Sequence, residues 1–558
     1  MNVLQKKLAE IPFNLRLCFS SGVVFGLLTH LFMMTNKLSN WDDVTNFSSY
    51  GVGGELGRWV LRFVHPLAGR LSNPWVNGSM AILLLSVAAC LIYEILQLRS
   101  RLSAVLLPMI FMTFPSLAST MTFMFTVDLY AIGVLLAVLS AYLAVRFRYG
   151  FLWGMVPLIF SLGIYQAYVC FPIALLLLRW IGDELTAGER GEHFDAAATA
   201  RRAFSYIVLV LAGTIIYMVI AHLRYPLLSS ETHNGVGEMG KLNVLRLPVY
   251  CAKAYLRLLN YFVLGGYSFQ TAFMKLVNVL TVAAILIMLV LLLRRARIWR
   301  SRARGAWTFL LLLVFPVAVS FTDVMSPDAY FSMVMLYAFC LVYMLPLWLG
   351  ERLERSTEKE AASTRRGGQA AGQASAVKTV RAGEAEAKTL SGANVRNGAG
   401  RAGTLASLLS LAGVVLILCS SFGDYVVSGE AYFRMKISYE RVYGYFDRML
   451  ARVEAQPDYD ADAPLYVLGT FDGETMTGYP LEEERFLDFS GVALEYGLIT
   501  PGTRENFLRI YLGKPVENSM SEAGEALRQS EAYQAMADYP SDGSIRQIDG
   551  AWVVRISE

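Results

Sequence analysis

The sequence predicts a polytopic α-helical membrane protein, with about eleven transmembrane helices and a small extracytoplasmic α/β domain at the C-terminal end. Three observations lead there. Of 558 residues, 55% are hydrophobic and only 17% charged, and a mean hydropathy of +0.44 means more apolar surface than one water-soluble core hides. Apolar runs of roughly 20 residues, the length that crosses a bilayer as a helix, recur from Pro12 to Phe422. Beyond residue 422 acidic residues become frequent, and the apolar pattern shortens to one amphipathic helix and a few strands.

The apolar runs place spans at about 13–34, 76–96, 103–117, 127–145, 151–164, 166–179, 204–223, 273–293, 306–322, 329–349 and 403–422. The first follows Lys6 and Lys7, as in a signal peptide, but it is too long for one and no small-x-small cleavage site closes it. It reads as a retained span. Lys6 and Lys7, Arg99 with Arg101, Arg146 with Arg148, Arg201 with Arg202, and RRARIWRSRAR at 294–304 mark the span ends that the positive-inside bias assigns to the cytoplasm. The N-terminus is then cytoplasmic. FLWGMVPLIFSLGIYQAYVCFPIALLLLRW at 151–180 is long for one upright helix and short for two. A single crossing would turn the arginines of 294–304 outward, so a tight hairpin near Tyr165 and Gln166 keeps the bias.

Residues 1–349 then form the transmembrane domain, with outer loops at 35–75 and 224–272 and shorter ones at about 118–127 and 323–328. Within 224–272, LNVLRLPVYCAKAYLRLLNYFVL spaces Arg246, Lys253 and Arg257 as an amphipathic helix, lying in the interface plane or packed on the spans. Residues 350–402, rich in Ala, Gly, Ser and charge and without aromatic residues, read as a disordered cytoplasmic linker. A final span at 403–422 delivers 423–558 to the outer side, where AYFRMKISYERVYGYFDRMLARV reads as a helix and PLYVLGTF and AWVVRIS as strands.

Several chemistries find no motif. The six cysteines form no CxxC pair, the five histidines no HxxxH or HxH pair, and no glycine-rich loop precedes Lys-Ser/Thr. The net charge of +4 gives no sign of a nucleic-acid partner.

The outer loop at 40–59 reads NWDDVTNFSSYGVGGELGRW. Adjacent carboxylates in an ordered site repel, so one of Asp42 and Asp43 is held protonated while the other stays ionised and able to take a proton from a hydroxyl. The bland reading is a pair of solvated loop acids. The glycines permit sharp turns, and Arg58 and Arg62 follow Glu55 by three and seven residues. Arginine suits phosphate, and a phosphate at the outer face of a membrane protein most simply belongs to a lipid. The alternative makes Glu55, Arg58 and Arg62 faces of a solvated helix start. Asp128 enters the membrane at the outer end of the fourth span, Tyr165 and Gln166 occupy the hairpin apex, and Asp323 and Asp328 flank the turn TDVMSPDAY. Helix capping is the competing role for Asp128 and the favoured one for Asp328.

The Asp-Asp pair in the first outer loop, the Gly57-Arg58-Trp59 element after it and LGIYQAYVCFP from Leu162 to Pro172 together resemble the bacterial GtrII-type glucosyltransferases, of the wider GT-C class of polytopic membrane glycosyltransferases. The likeness covers roughly residues 10–350. It implies a GT-C-like fold in the bacterial cytoplasmic membrane, a polyprenyl-phosphate-linked sugar as donor and a cell-envelope glycan as acceptor. On that resemblance Asp42 or Asp43 is the general base of an inverting displacement, and Arg58, helped by Arg224 or Lys241, holds the donor phosphate. Tyr165 and Gln166 bind the sugar or orient the acids, Asp128 supports the base or binds acceptor, and Glu55 and Trp59 complete the substrate site. No cofactor is assigned, although paired carboxylates bind Mg2+ or Mn2+ readily.

Two readings from other classes stand beside this one. A transporter or flippase of a lipid-linked glycan predicts polar residues along a path through the bilayer and two repeated halves, and no internal repeat is visible. A scaffold whose tail binds partners predicts that 423–558 is dispensable for transfer. Within the class, mannose or arabinose replaces glucose without any change the sequence would reveal.

Overall fold

Helix length and apolar composition set the architecture. The computed structural model describes residues 10–48, 56–68, 71–224, 243–326, 332–357, 389–470 and 483–556. Among them, eight helices are long and apolar enough to cross a membrane, or nine if one bent pair is a single span. These are α1 (Phe13–Thr35), α4 (Pro74–Ile95), α7 (Val127–Arg146), α10 (Ala196–Arg224), α12 (Ala272–Arg295), α13 (Arg302–Val319), α14 (Met333–Thr357) and α15, whose described apolar part is Thr404–Glu454. Two short helices, α2 (Trp41–Thr45) and α3 (Leu61–Ala68), lie between α1 and α4. The bent pair is α5 (Arg101–Thr113) and α6 (Pro115–Met121), which meet at 52° where Pro115 interrupts the hydrogen-bond ladder.

Helix occupies each of the eleven predicted positions, but not all are full spans. The 151–164 segment is α8 (Gly150–Leu162), whose 13 residues reach only about 20 Å against a hydrocarbon core of about 30 Å. The 166–179 segment opens with a 3-10 turn at Gln166–Val169 and continues as α9 (Cys170–Glu189), which carries Arg179, Asp183 and Glu184. Residues 151–180 are therefore two helices broken at Gly163–Tyr165. In the 224–272 loop, α11 (Leu247–Leu259) is preceded by exposed Leu245 and exposes Leu256, while the next residue, Arg257, pairs with Asp323.

Close approach explains the packing of α1 on α4. A Cβ at Gly22 would stand 2.7 Å from Ser86 Oγ, and one at Gly26 would stand 2.8 Å from Ile82. The small-xxx-small pair lets the two backbones meet, as it does between helices in lipid. α14 is almost wholly buried at the centre of the bundle, whereas α10 turns most of its surface outward. An aromatic cluster fixes the middle, with Tyr337 stacked on Phe111 at 4.9 Å and its hydroxyl donating to the Phe111 carbonyl at 2.9 Å.

The predicted linker of 350–402 is helical at both described ends. α14 runs on to Thr357, helped by a Glu351–Arg355 pair at 3.0 Å, and α15 begins at Thr389. α15 then continues unbroken for 66 residues to Glu454, because no proline interrupts it, and it joins the predicted last span to the amphipathic helix. After it, β1 (Leu465–Leu468), β2 (Ile545–Ile548) and β3 (Ala551–Arg555) form a sheet in the order β1-β3-β2, parallel between β1 and β3 and antiparallel between β2 and β3. Helices α16 (Glu495–Ile499), α17 (Thr503–Tyr511) and α18 (Glu522–Gln529) complete this small α/β unit. It packs on two loops: Phe489 meets Phe269, between α11 and α12, at 4.9 Å, and Tyr511 shares a hydrogen bond with Ser39, just before α2. Lys6, Lys7, Glu55, Lys241, Asp328 and residues 358–388 lie outside the described residues.

Candidate functional site

Gly57-Arg58-Trp59 and Leu162–Gln166, distant in sequence, are stapled together. Gly57 has φ +75°, and a Cβ there would collide with the Tyr217 hydroxyl and stand 2.9 Å from Gln166 Nε2. Only glycine fits both the backbone and the space. Gln166 Nε2 donates to the Leu56 carbonyl at 2.6 Å and to the Tyr217 hydroxyl at 2.7 Å, and that hydroxyl donates to the Gly57 carbonyl at 3.2 Å. The Val60 N–H donates to the Gly163 carbonyl at 2.9 Å. Trp59 is buried against Phe160 and Phe63 at 5.7 and 6.4 Å. Gln166 and Trp59 thus fix the loop on which Arg58 rides.

Arg58 points into an aromatic cradle. Nη1 donates to the Tyr130 hydroxyl at 3.1 Å, the guanidinium lies 4.9 Å from the Tyr165 ring centroid, and the two tyrosine rings are 5.2 Å apart. Its Nε is buried without a hydrogen-bond partner among the described residues, an arrangement that leaves a donor for a ligand. Burial disfavours the charge, but the phenol oxygens of Tyr130 and Tyr165 and the carboxylate of Asp42 outweigh it and raise the pKa above the ordinary arginine value.

The two adjacent acids have different surroundings. Asn40 caps α2, its Oδ1 accepting the Asp43 N–H at 2.8 Å, so both acids sit in the first turn. Asp43 is fully buried. Its Oδ2 accepts from Lys37 Nζ and from Ser39 Oγ at 2.7 Å, and its Oδ1 accepts from Ser72 Oγ at 2.6 Å. Lys37 also donates to Ser72 at 2.8 Å, and burial lowers the pKa of Lys37 against the opposing pull of Asp43. Asp42 is only half-buried, and its charge acts on Arg58 and Tyr130. The repulsion expected between two adjacent acids is answered by Lys37.

Asp128 stands in the first turn of α7, 6% exposed, with Oδ1 unpartnered among the described residues. Thr126, not Asp128, is the N-cap of α7, so Asp128 acts on the helix N-terminus through its place in the first turn rather than as a cap. Asn77 in the first turn of α4 donates to the Met124 carbonyl at 2.9 Å, and its Oδ1 is also without a partner, as is Thr126 Oγ1. Orphaned polar groups of this kind gather where α4 and α7 begin. Arg224, exposed at the end of α10, follows Tyr217 on the same face by two turns, about 10 Å. Asp323 does not share in this arrangement: Arg257 grips it through Nε at 2.8 Å and Nη2 at 2.7 Å, and Ser320 Oγ donates at 2.7 Å.

Among the described residues no three His, Cys, Asp or Glu side chains stand together in a metal-binding group. With the Asp43 oxygens engaged by Lys37, Ser39 and Ser72, Asp42 and Asp43 do not offer the two-carboxylate grip a divalent cation takes. Lys37, Ser72, Tyr130, Asn77 and Tyr217 escaped the sequence reading. The one signal was polarity within apolar runs, at Asn77 and Tyr217.

A family model described as Glucosyl transferase GtrII matches residues 31–345. No curated protein and no solved structure matches the chain. The matched region takes in α2, the Arg58 loop, Asp128, the Leu162–Gln166 turn and Tyr217, and the family implies glucosyl transfer as the activity. Its extent, more than half of the sequence, makes the chain a member of the GtrII glucosyltransferase family.

Proposed function

We propose that the chain transfers glucose from a polyprenyl-phosphate donor to a cell-envelope glycan at the outer face of the bacterial cytoplasmic membrane. The observation that carries this reading is Arg58, a half-buried arginine whose buried Nε has no hydrogen-bond partner among the described residues, cradled by two tyrosines and within electrostatic reach of Asp42. A lipid-linked donor enters sideways from the bilayer and needs no nucleotide pocket. The acceptor hydroxyl oxygen attacks the anomeric carbon, its proton passes to Asp42, and the bond from that carbon to the phosphate oxygen breaks with inversion. The phosphate leaves on the lipid, its growing charge facing Arg58, with Arg224 as a second cation. Asp43, saturated by Lys37, Ser39 and Ser72, positions the helix that carries Asp42. Asp128, Asn77 and Thr126 offer acceptor atoms to sugar hydroxyls.

The test is a panel of polyprenyl-phosphate sugars, with glucose, mannose and arabinose, incubated with the purified protein and envelope glycans. Mass spectrometry of the product gives the sugar, and NMR the anomeric configuration. Transfer from polyprenyl-phosphate glucose with inversion is expected. Transfer from a sugar nucleotide and none from the lipid-linked donors would overturn the reading.

A further inference from the structure

A second basic site lies at the other end of the helices. α9 starts four residues after Gln166 and reaches Asp183 thirteen residues further on, about 20 Å away. There, between α9, α10, α13 and α14, opens a polar cleft of about 630 Å³. Seven arginines and His193 line it against four carboxylates. Some of that charge is internally matched, as where Arg179 and Arg202 meet Asp183 at 3.0 and 3.2 Å. Arg352 is not.

Arg352 is nine-tenths buried, yet among the described residues no carboxylate stands within salt-bridge distance of it, and Asp183 and Glu189 act on it only from further away. It lies 4.7 Å over the Trp348 ring, donates from Nη1 to the Gly182 carbonyl at 2.9 Å and to Thr186 Oγ1 at 3.3 Å, and leaves Nε without a partner. A buried guanidinium held rigidly by an aromatic face and a carbonyl, with a donor to spare, is arranged for an external anion. Arg99 and Arg190 stand exposed on the rim. A second cavity of about 240 Å³ adjoins across Arg179, Asp183 and Arg202. Exposed Phe147, Trp153 and Phe204 border this end, at 55, 67 and 67% exposure.

We propose that this cleft binds a phosphate-bearing anion, with Arg352 as the deep contact and Arg99 and Arg190 at the rim. The phosphate comes from an anionic phospholipid headgroup or from a soluble phosphate. The arginine distribution assigns this end to the cytoplasm, where basic pockets between membrane helices hold acidic headgroups. The site is independent of sugar transfer at the other end.

The experiment compares thermal midpoints of the full chain in nanodiscs of phosphatidylcholine alone, of phosphatidylcholine with added phosphatidylglycerol, and of phosphatidylcholine with soluble pyrophosphate. At least one phosphate probe raises the midpoint, and which one names the source. Arg352→Gln and the rim double variant Arg99→Gln/Arg190→Gln each weaken the response, by about fivefold in apparent affinity per arginine removed. The rim positions are exposed, so that variant folds even if Arg352→Gln does not. No shift with either probe, or an undiminished shift in the rim variant, overturns the proposal.

Discussion

Arg58 lies 4.9 Å over the ring of Tyr165 while its Nη1 donates to Tyr130 at 3.1 Å. A planar guanidinium does both at once and still has Nε free; a lysine ammonium is a point charge that stacks poorly. Arg58→Lys therefore keeps the net charge and the fold but misplaces the donor. Steady-state transfer assays are expected to show kcat lower by about 10²–10³-fold, the loss typical of one missing transition-state donor. Parental kcat in this variant would mean that only the charge of Arg58 matters, or that the phosphate binds elsewhere.

Gly57 carries the geometry that aims Arg58. Gly57→Ala must hold an alanine at φ +75°, which costs about 1–2 kcal/mol, and must also displace the Tyr217 hydroxyl. A lower thermal midpoint and a severalfold slower transfer are expected together. Adding Tyr217→Phe opens the space, so the double variant should be more stable than the sum of the single losses predicts. Strict additivity would show that the clash is relieved some other way.

The two adjacent acids should separate experimentally. Asp43→Asn strands the amino group of Lys37, whose side chain is 22% exposed against 1% for Asp43; this partial exposure reduces the cost of a broken buried pair to about 2 kcal/mol. Asp42→Asn should move stability by less than about 0.5 kcal/mol and lower transfer by about 10²–10⁴-fold, the worth of a general base. Thermal melts alongside transfer rates check both. If Asp42→Asn transfers at the parental rate, another group takes the proton.

The contrast between these acids marks the limit of what the sequence discloses. Spans such as Pro74–Ile95 and Ala272–Arg295 were legible because some twenty consecutive residues carry the signal locally. Asp42, Asp43, Arg58 and Gln166 were legible as polar groups at apolar boundaries. Their roles were not, because the partners that divide them come from elsewhere in the chain: Lys37 and Ser72 lie on either side of the loop, and Tyr511 reaches Ser39 from 472 residues away. Tyr217 hides in an apolar run and betrays nothing of its hold on Gly57. The shortness of α8 was legible too, because residues 151–180 are too few for two full spans, and the break at Gly163–Tyr165 falls beside the turn the sequence places at Tyr165 and Gln166.

Glu495 ties the α/β unit to the long helix α15 and gives that junction a pH dependence. Its oxygens meet Arg434 at 2.9 and 3.2 Å and Arg441 at 3.0 Å, and Ser438 donates at 3.2 Å. Burial alone would raise its pKa, but Arg434 and Arg441 pull the other way and leave it below the ordinary glutamate value. With the folded value below the unfolded one, the stabilisation is complete above about pH 4.3 and is lost as pH falls through the folded value. Hydrogen exchange, corrected for intrinsic rates, should therefore show α16 and α17 losing protection on acidification through that range while the apolar core of α14 keeps its own. Glu495→Gln removes the titrating group, so its junction should be looser at neutral pH and insensitive to acid across the same window. An acid response in Glu495→Gln equal to the parent's would place the sensitive group elsewhere in the interface.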